Sequence, residues 1–376
     1  MNWTDWRAEF PILERTTYLN SCSLGALSRR ALRRVAQFHD DWHTFGASAW
    51  YSIWIDRLAE LRARVARMIG AAESDVALAA STSAALSVIA SAFDYHARPR
   101  VIIADIDFPT VAYQWMVRPG VELVRVASDD GIVIDPERVA DAVDERTAIV
   151  ALSHVFFTTG GIQETRPIAD VARRHGAFFL LDAYQSAGQV PIDVRSLSVD
   201  ALVTGPLKWL LGGPGLAYLY VHPDWQRQLR PTITGWFAAH DQFAFDSHHF
   251  AFKDDARRFE LGTPALPTVH SALGGQEIID EIGVAAIRAR NSALTEHLLG
   301  RLDDAGMRVR VARQPERRSA LVMIEHDDPP AAVTRLAAER VIVDHRPGYV
   351  RVSPHFYNTP EELDHFVELL STGAAA

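Results

Sequence analysis

The fold is decided by the stretch Phe178-Phe179-Leu180-Leu181-Asp182, a continuous apolar run that ends in a carboxylate. Similar apolar runs lie on both sides of it, and amphipathic segments such as Pro136–Val143 and Pro167–His175 separate several of them. Continuous apolar strands that alternate with helices predict an α/β fold, with a mostly parallel sheet covered by helices on both faces. The predicted strands of this sheet are Val76–Ala80, Val101–Ile106, Val121–Val126, Ala148–Ser153, Ala177–Asp182, Ala201–Thr204 and Leu216–Val221.

The pattern changes after about residue 270, where it indicates a smaller α+β domain. A long amphipathic helix is predicted over Gln276–Leu302, and short strands with two further helices follow it. The strands are predicted at Val309–Ala312, Ala320–Glu325, Val341–Asp344 and Tyr349–Val352, and the helices near Pro330–Glu339 and Pro360–Leu370.

The composition is that of an ordinary globular protein, with 48% hydrophobic and 23% charged residues. The net charge of −9 argues against nucleic acid or an anionic membrane as the main partner. The single cysteine, Cys22, excludes an internal disulfide framework and favours a reducing compartment. The N-terminus has neither the basic nor the apolar region of a signal peptide, so we expect a cytoplasmic protein.

Lysine is rare in this chain, and one of its two lysines has an unusual setting. The chain contains 36 Arg but only Lys208 and Lys253. Lys208 lies in the apolar stretch Gly205–Gly215, which runs into a glycine-rich turn. A desolvated Lys can lose its proton and attack a carbonyl, whereas Arg cannot. The setting therefore suggests Schiff-base chemistry, although a lysine that reaches towards solvent from the end of a strand would also explain it.

Asp182 is the second candidate, because ligands in open α/β sheets bind at the carboxyl ends of the strands. A buried carboxylate needs a cationic partner, and a protonated pyridine nitrogen would be suitable. Lys208 follows 26 residues later, after the next strand, so both side chains could reach one cofactor. A lysine imine and a carboxylate at the ring nitrogen are what pyridoxal phosphate requires of a protein. An Asp that caps the following helix is the alternative explanation.

A phosphate site is also predicted, at Ser81-Thr82-Ser83. These hydroxyls follow a predicted strand and precede a helical segment that begins at Ala84. Hydroxyls and free backbone N–H groups at the start of a helix can bind an anion. An ordinary Ser or Thr N-cap explains the same residues.

These residues and the motifs around them give the chain a resemblance to the class V aminotransferases of the fold-type-I pyridoxal-phosphate (PLP) enzymes. This family includes kynureninases, cysteine desulfurases and isopenicillin-N-epimerase-like proteins. The resemblance covers nearly the whole length and implies a large PLP-binding domain over residues 28–262, with a small domain formed by residues 1–27 and 263–376. It rests on the order and spacing of Tyr18–Gly25, Ser81–Ser83, Asp107–Thr110, Ser153–Val155 with Thr159-Gly160, Asp182–Gln185, Lys208 with Gly212–Gly215, Gly235–Phe237, Gly262–Pro264 and Arg351–Thr359.

The resemblance implies a role for each matched side chain. Lys208 would form the Schiff base, Asp182 would keep the ring nitrogen protonated, and Arg351 would bind the substrate α-carboxylate with its bidentate guanidinium. The remaining implied roles concern the cofactor: Phe108 would stack on the ring, Ser153 and Gln185 would lie at its edge, and Thr82, Ser83, Trp236 and, across a dimer interface, Thr263 would bind the phosphate.

Several positions depart from the patterns of individual family members. Cysteine desulfurases have a nucleophilic cysteine shortly before the Arg, but residues 343–350 contain none, so a persulfide relay from this segment is excluded. Kynureninases have Tyr, Asp and His where this chain has Leu207, Val111 and Gln185. These differences argue against true kynureninase activity.

We therefore expect a homodimeric PLP enzyme that acts on an α-amino acid and cleaves a C–S or C–C bond at the β carbon. Transamination and epimerisation are the alternatives within the family. A PLP-binding module without catalysis, or a doubly wound domain that binds another phosphate ligand, also remains open. We expect no metal site, because His39 and His43 have the i, i+4 spacing of zinc ligands but lack a third ligand. The substrate side chain is not identified.

Overall fold

A computed structural model describes residues 2–372 of the chain, which form helices, strands and connecting loops. The strands fall into one large and two small sheets. In chain order they are β1 (Thr17–Tyr18), β2 (Val76–Ala79), β3 (Arg100–Ala104), β4 (Glu122–Val126), β5 (Thr147–Ser153), β6 (Phe178–Asp182), β7 (Ala201–Thr204), β8 (Ala217–Val221), β9 (Val309–Arg310), β10 (Val322–Glu325), β11 (Val341–Ile342), β12 (Asp344–Arg346) and β13 (Tyr349–Val352).

The helices lie mainly between these strands, as the alternating pattern predicts. A π-helical turn at Trp50–Trp54 leads directly into the third of them. The helices are α1 (Trp3–Arg7), α2 (Arg29–Phe45), α3 (Ile55–Ile69), α4 (Thr82–Ala90), α5 (Pro109–Met116), α6 (Pro136–Ala142), α7 (Arg166–Arg174), α8 (Val194–Leu197), α9 (Pro223–Gln226), α10 (Leu266–Ile282), α11 (Val284–Asp304), α12 (Pro329–Ala338) and α13 (Pro360–Thr372).

The large sheet has seven strands in the order β2-β8-β7-β6-β5-β3-β4. Strands β7, β6, β5, β3 and β4 pair in parallel, and only β8 pairs antiparallel with its neighbours on both sides. The predicted strands agree with the observed ones to within two residues. The expected α/β fold with a mostly parallel sheet is therefore confirmed.

Alternate residues of the central strands enter two separate cores, one on each face of the sheet. Phe179 and Leu181 of β6 pack in the core that also contains α2, α3 and α10, while Phe178 and Leu180 pack in the core against α4 and α5. Both faces are apolar because both are covered, which explains the continuous apolar run in the sequence. Both faces of the central strands are therefore packed up to the edge at which these strands end.

The smaller sheet has the order β12-β13-β10-β9, and all its pairs are antiparallel. Its core consists of apolar side chains from these strands and from α11, α12 and α13. This arrangement agrees with the α+β character predicted for the C-terminal part. The proposed division into a domain at residues 28–262 and a second domain from the remaining residues stays a prediction.

Two predicted elements of the C-terminal part were wrong in their extent. The long helix predicted over Gln276–Leu302 is two helices, α10 and α11, because Gly283 between them adopts a φ of +80° that ends the first helix. The strand predicted over Val341–Asp344 is also divided. Its first part, β11, pairs in parallel with β1, and its second part, β12, pairs with β13, so the chain changes partners between them.

No helix within residues 2–372 combines the length and the apolar character needed to span a membrane.

Candidate active site

The candidate site lies at the carboxyl edge of the large sheet, where β5 and β6 end in Ser153 and Asp182. Lys208 follows β7 by four residues and reaches the same place. Parallel neighbouring strands bring side chains that are distant in sequence to one edge of a sheet. Together they enclose a cavity of about 250 Å³, lined by Ser81, Thr82, Ser83, Phe108, Thr110, Ser153, Val155, Phe157, Asp182, Tyr184, Gln185, Leu207 and Lys208.

The amine of Lys208 lies among aromatic side chains in this cavity. Its Nζ is 4.9 Å from the centroid of the Tyr184 ring and 6.0 Å from that of Phe108. Desolvation lowers the pKa of Lys208 to about 8, against the opposing effect of the Asp182 carboxylate and with the support of the Arg351 charge. A neutral amine is therefore available near physiological pH, as nucleophilic or base chemistry requires.

Asp182 is 6% exposed and accepts a hydrogen bond from the Tyr184 N–H at 2.8 Å. Its backbone carbonyl accepts the N–H of His154, also at 2.8 Å. Desolvation raises the pKa of the Asp182 carboxyl, while the Tyr184 N–H and the charge of Lys208 lower it. A cation placed against this carboxylate would relieve the cost of its burial.

The hydroxyl-rich segment at the other side of the cavity forms the start of α4. Ser81 is the N-cap and accepts the N–H of Ala84 at 3.1 Å, as an ordinary cap does. Ser83 Oγ lies 2.7 Å from Thr110 Oγ1. Thr82 Oγ1 is buried and has no hydrogen-bond partner among the described residues. A buried hydroxyl without a partner at a helix N-terminus fits an anion that supplies the missing contact.

Phe108 and Gln185 line the cavity, but their environments differ. Phe108 is 44% exposed, and its ring packs edge-to-face on Phe157 at 5.1 Å. Gln185 is buried, donates from Nε2 to the carbonyl of Cys22 at 3.0 Å and accepts from Trp209 Nε1 at 2.9 Å. Gln185 thus ties the N-terminal loop to the Lys208 segment.

Arg351, on β13, is 1% exposed and does not line the cavity itself, but it contacts the backbone of Phe157, which does. Its Nη1 donates to the carbonyl of Phe157 at 3.2 Å, and its Nη2 donates to Ser23 Oγ at 2.7 Å and to Asp344 Oδ2 at 2.5 Å. Arg346 Nη1 also donates to Asp344 Oδ2, at 3.0 Å. Desolvation alone would raise the pKa of Asp344, but the two arginines, with local hydrogen bonds, lower it to about 2.

Two of the predicted cofactor-binding residues do not line this cavity. Trp236 is 41% exposed and belongs to an aromatic cluster with Phe237, Phe243 and Phe245. Thr263 is exposed, in the loop before α10. The assignment of Trp236 and Thr263 to the phosphate site therefore stays a prediction, which for Thr263 was made across a dimer interface.

Asp107 also lies at the strand ends that carry the site, although no role was predicted for it from the sequence. Its Oδ2 accepts the N–H of Ala104 and its Oδ1 that of Ser153, both at 2.8 Å, so it joins the ends of β3 and β5. Desolvation and the nearby Asp182 raise the pKa of Asp107 to about 7, against the lowering by these hydrogen bonds. Asp107 directly follows the predicted strand Val101–Ile106, and Asp182 is the last residue of the predicted strand Ala177–Asp182; this similar position at a strand end could have identified Asp107.

Comparison with known proteins places the chain in a family. Residues 17–366 match the class-V aminotransferase family, and the chain belongs to it. The uncharacterized aminotransferase YcbU of Bacillus subtilis (strain 168) is 32% identical over 363 residues, which cover 96% of each chain. The kynureninase of Geobacillus thermodenitrificans (strain NG80-2) is 28% identical over 385 residues, covering 97% of this chain and 90% of the relative.

The fold has matches among solved structures as well. A cysteine desulfurase from Thermococcus onnurineus NA1 superposes with a TM-score of 0.88 at 21% identity, covering 98% of this chain and 97% of the other. This likeness shows a shared fold. The family consists of enzymes that use pyridoxal 5'-phosphate, so the predicted family, enzyme class and cofactor are confirmed.

The residues of the cavity fit this cofactor. The cavity is lined by the amine of Lys208 with its lowered pKa, the buried carboxylate of Asp182 and the ring of Phe108 beside the amine. It is also lined by Thr82, whose buried hydroxyl has no partner among the described residues. These are the groups that an aldehyde, a pyridine nitrogen, a phosphate and a ring face each require.

Proposed function

We propose that the chain is a PLP-dependent lyase that cleaves a C–S or C–C bond at the β carbon of an α-amino acid. The proposal depends on one observation: the desolvated amine of Lys208 and the carboxylate of Asp182 line the same cavity. Bound PLP supplies an electron sink for the charge that develops at the substrate Cα.

In this proposal Lys208 has two tasks. It holds the cofactor covalently before the substrate arrives, and as a neutral amine it accepts the Cα proton of the bound substrate. Asp182 keeps the proton on the ring nitrogen, because its carboxylate is buried and accepts a single hydrogen bond from residues 2–372. Tyr184 and Phe108 exclude water from the amine, which keeps its pKa low.

The remaining contacts hold cofactor and substrate in place. Arg351, which contacts the backbone of Phe157, would bind the substrate α-carboxylate. The other assignments concern the cofactor: Phe108 stacks on its ring, Ser153 and Gln185 lie at its edge, Thr82 and Ser83 bind its phosphate, and Trp236 and Thr263 complete the phosphate site of a second copy. The exposed aromatic side chains Tyr51, Trp236, Phe243 and Phe245 support the dimer that this last assignment needs.

The choice of a lyase is supported by full-length relatives that are named kynureninase. Strands β12 and β13 are joined by a tight hairpin at Pro347-Gly348, and this segment contains no cysteine. A sulfur leaving group would therefore not be transferred to a cysteine of this segment as a persulfide. Transamination is the second candidate, because a relative of 32% identity is named an aminotransferase. Epimerisation would use the same proton transfer at Cα.

A panel of α-amino acids distinguishes these reactions. The purified holoenzyme is incubated with each amino acid, with and without an α-keto acid. Release of pyruvate, alanine or sulfide without a keto acid supports the lyase. Product that forms only with a keto acid shows an aminotransferase, and loss of optical rotation alone shows an epimerase.

The covalent link is tested separately. Borohydride treatment followed by mass spectrometry is expected to find a cofactor adduct on the peptide that contains Lys208, and Lys208→Ala is expected to lack it. An adduct elsewhere, or none in the wild type, contradicts the assignment of Lys208.

A further inference from the structure

The guanidinium of Arg351 is already occupied in a way that limits how a carboxylate can bind to it. A guanidinium can hold a carboxylate with two parallel hydrogen bonds at either of two edges, Nε–Nη2 or Nη1–Nη2. Both edges include Nη2. In this protein Nη2 already donates to Ser23 Oγ at 2.7 Å and to Asp344 Oδ2 at 2.5 Å.

The other nitrogens of Arg351 leave room for a ligand. Nη1 donates only to the carbonyl of Phe157, at 3.2 Å, and Nε is buried without a partner among residues 2–372. A buried N–H of a charged group without an acceptor is costly. Arg351 is 1% exposed, so bulk water does not satisfy it. The donors with remaining capacity, Nε and Nη1, lie on either side of Nη2, which donates to Asp344.

Asp344 has a second cation within reach. Arg346 Nη1 donates to the same Oδ2 atom at 3.0 Å, and Ser23 Oγ donates to it at 2.9 Å. The side chain of Asp344 is 26% exposed and that of Arg346 is 30% exposed, so both have space to move, whereas Arg351 is packed in place. Asp344 can therefore leave Arg351 and keep an ionic partner.

We infer that Asp344 is an internal competitor for the substrate carboxylate, which displaces it from Arg351 and leaves it paired with Arg346. This inference rests on the proposed role of Arg351. It makes Asp344 and Arg346 specificity-determining residues: a ligand must supply a carboxylate able to replace that of Asp344, and a neutral amide or alcohol cannot. It also gives Arg346 a positioning role, because the displaced carboxylate needs its charge.

Binding of 2-methylalanine to the holoenzyme tests the exchange, because this amino acid lacks the Cα hydrogen and its affinity can be measured by calorimetry without turnover. Asp344→Asn removes the competing charge, so the dissociation constant is expected to fall about fivefold or more. Arg346→Met removes the alternative partner of Asp344, so the dissociation constant is expected to rise by a similar factor. A lower dissociation constant in Asp344→Asn together with a higher one in Arg346→Met would support the exchange.

The controls separate the possible failures. Glu325→Gln, on the neighbouring strand β10, removes one negative charge that pairs with Arg308 and is expected to leave the affinity unchanged. Arg351→Met is expected to abolish binding. If it does not, the proposed role of Arg351 is wrong. If it does, but Asp344→Asn weakens binding or leaves it unchanged, Asp344 only positions Arg351 and the exchange is overturned.

Discussion

Gly25 and Lys208 are in direct backbone contact, although 183 positions separate them in the chain. A Cβ atom built on Gly25 would lie 2.2 Å from the carbonyl oxygen of Lys208, and the Gly25 N–H donates to the carbonyl of Leu207 at 2.9 Å. The N-terminal loop therefore positions the backbone that presents the amine of Lys208, and only a residue without a side chain can approach so closely.

Gly25→Ala is expected to lower the free energy of unfolding by about 1–3 kcal/mol, because the added methyl group forces two backbone segments apart. Urea unfolding measures this loss. Gly300→Ala is the matched control: its Cβ would contact nothing within 4 Å, and it lies inside α11, where Ala is favoured over Gly by about 1 kcal/mol. Equal effects of the two substitutions would contradict the contact.

The pH dependence of cofactor attachment should follow the neutral fraction of Lys208. Because the pKa of Lys208 is lowered to about 8, the rate at which cofactor-free protein takes up PLP is expected to rise with pH and to level off above about 8. Stopped-flow absorbance measures this rate. Tyr184→Ala admits water to the amine and should move the midpoint to higher pH. A rate that still rises steeply between pH 9 and 10 would contradict the lowered pKa.

Thr82 should contribute to cofactor affinity through its buried hydroxyl, which has no hydrogen-bond partner within residues 2–372. Thr82→Ala is expected to weaken PLP binding by about tenfold, since a hydrogen bond to a charged group is worth about 1.5–3 kcal/mol. Titration of the cofactor-free protein with PLP gives the affinity. Ser87→Ala, on the same helix, is the control, because Ser87 donates to Gln114 at 2.6 Å and does not line the cavity. Equal losses for the two variants would exclude a specific role of Thr82.

Acid should destabilise the fold through two buried histidines. Desolvation lowers the pKa of His154 to about 4 and that of His355 to about 3. In the unfolded chain the two histidines have pKa values of about 6.5, so they are protonated at a higher pH than in the folded protein. The stability that depends on their neutral state is therefore fully present above pH 6.5 and is lost as the pH falls towards 4. The two histidines are expected to contribute a loss on the order of a few kcal/mol, which protonation of Asp107 in the folded protein partly offsets because its pKa is raised to about 7.

Urea unfolding at pH 7 and at pH 5 measures this loss. His154→Gln is expected to reduce the difference between the two conditions, because one of the two titrating groups is removed. His365→Asn, on the exposed face of α13, should leave the difference unchanged. If the stability of His154→Gln changes between pH 7 and pH 5 as much as that of the wild type, the buried neutral state of His154 is contradicted.

Much of the large sheet could be predicted because its signals are local. Strand β7 was predicted with both ends correct, and β6 to within one residue, because an apolar run bounded by polar residues contains the information within itself. The break at Gly283 was missed, since a glycine inside an amphipathic pattern is compatible with a continuous helix and only its φ of +80° shows the turn.

The sequence by itself determined the α/β fold, the family and the candidates Lys208, Asp182 and Arg351, because residue type and order express these directly. Only the tertiary structure decided that Arg351 shares its Nη2 with Ser23 and Asp344, a contact between residues 328 positions apart. Such contacts depend on how the N-terminal loop and β13 pack against the large sheet. Sequence periodicity describes which face of an element is buried, but not which side chain of another element meets it there.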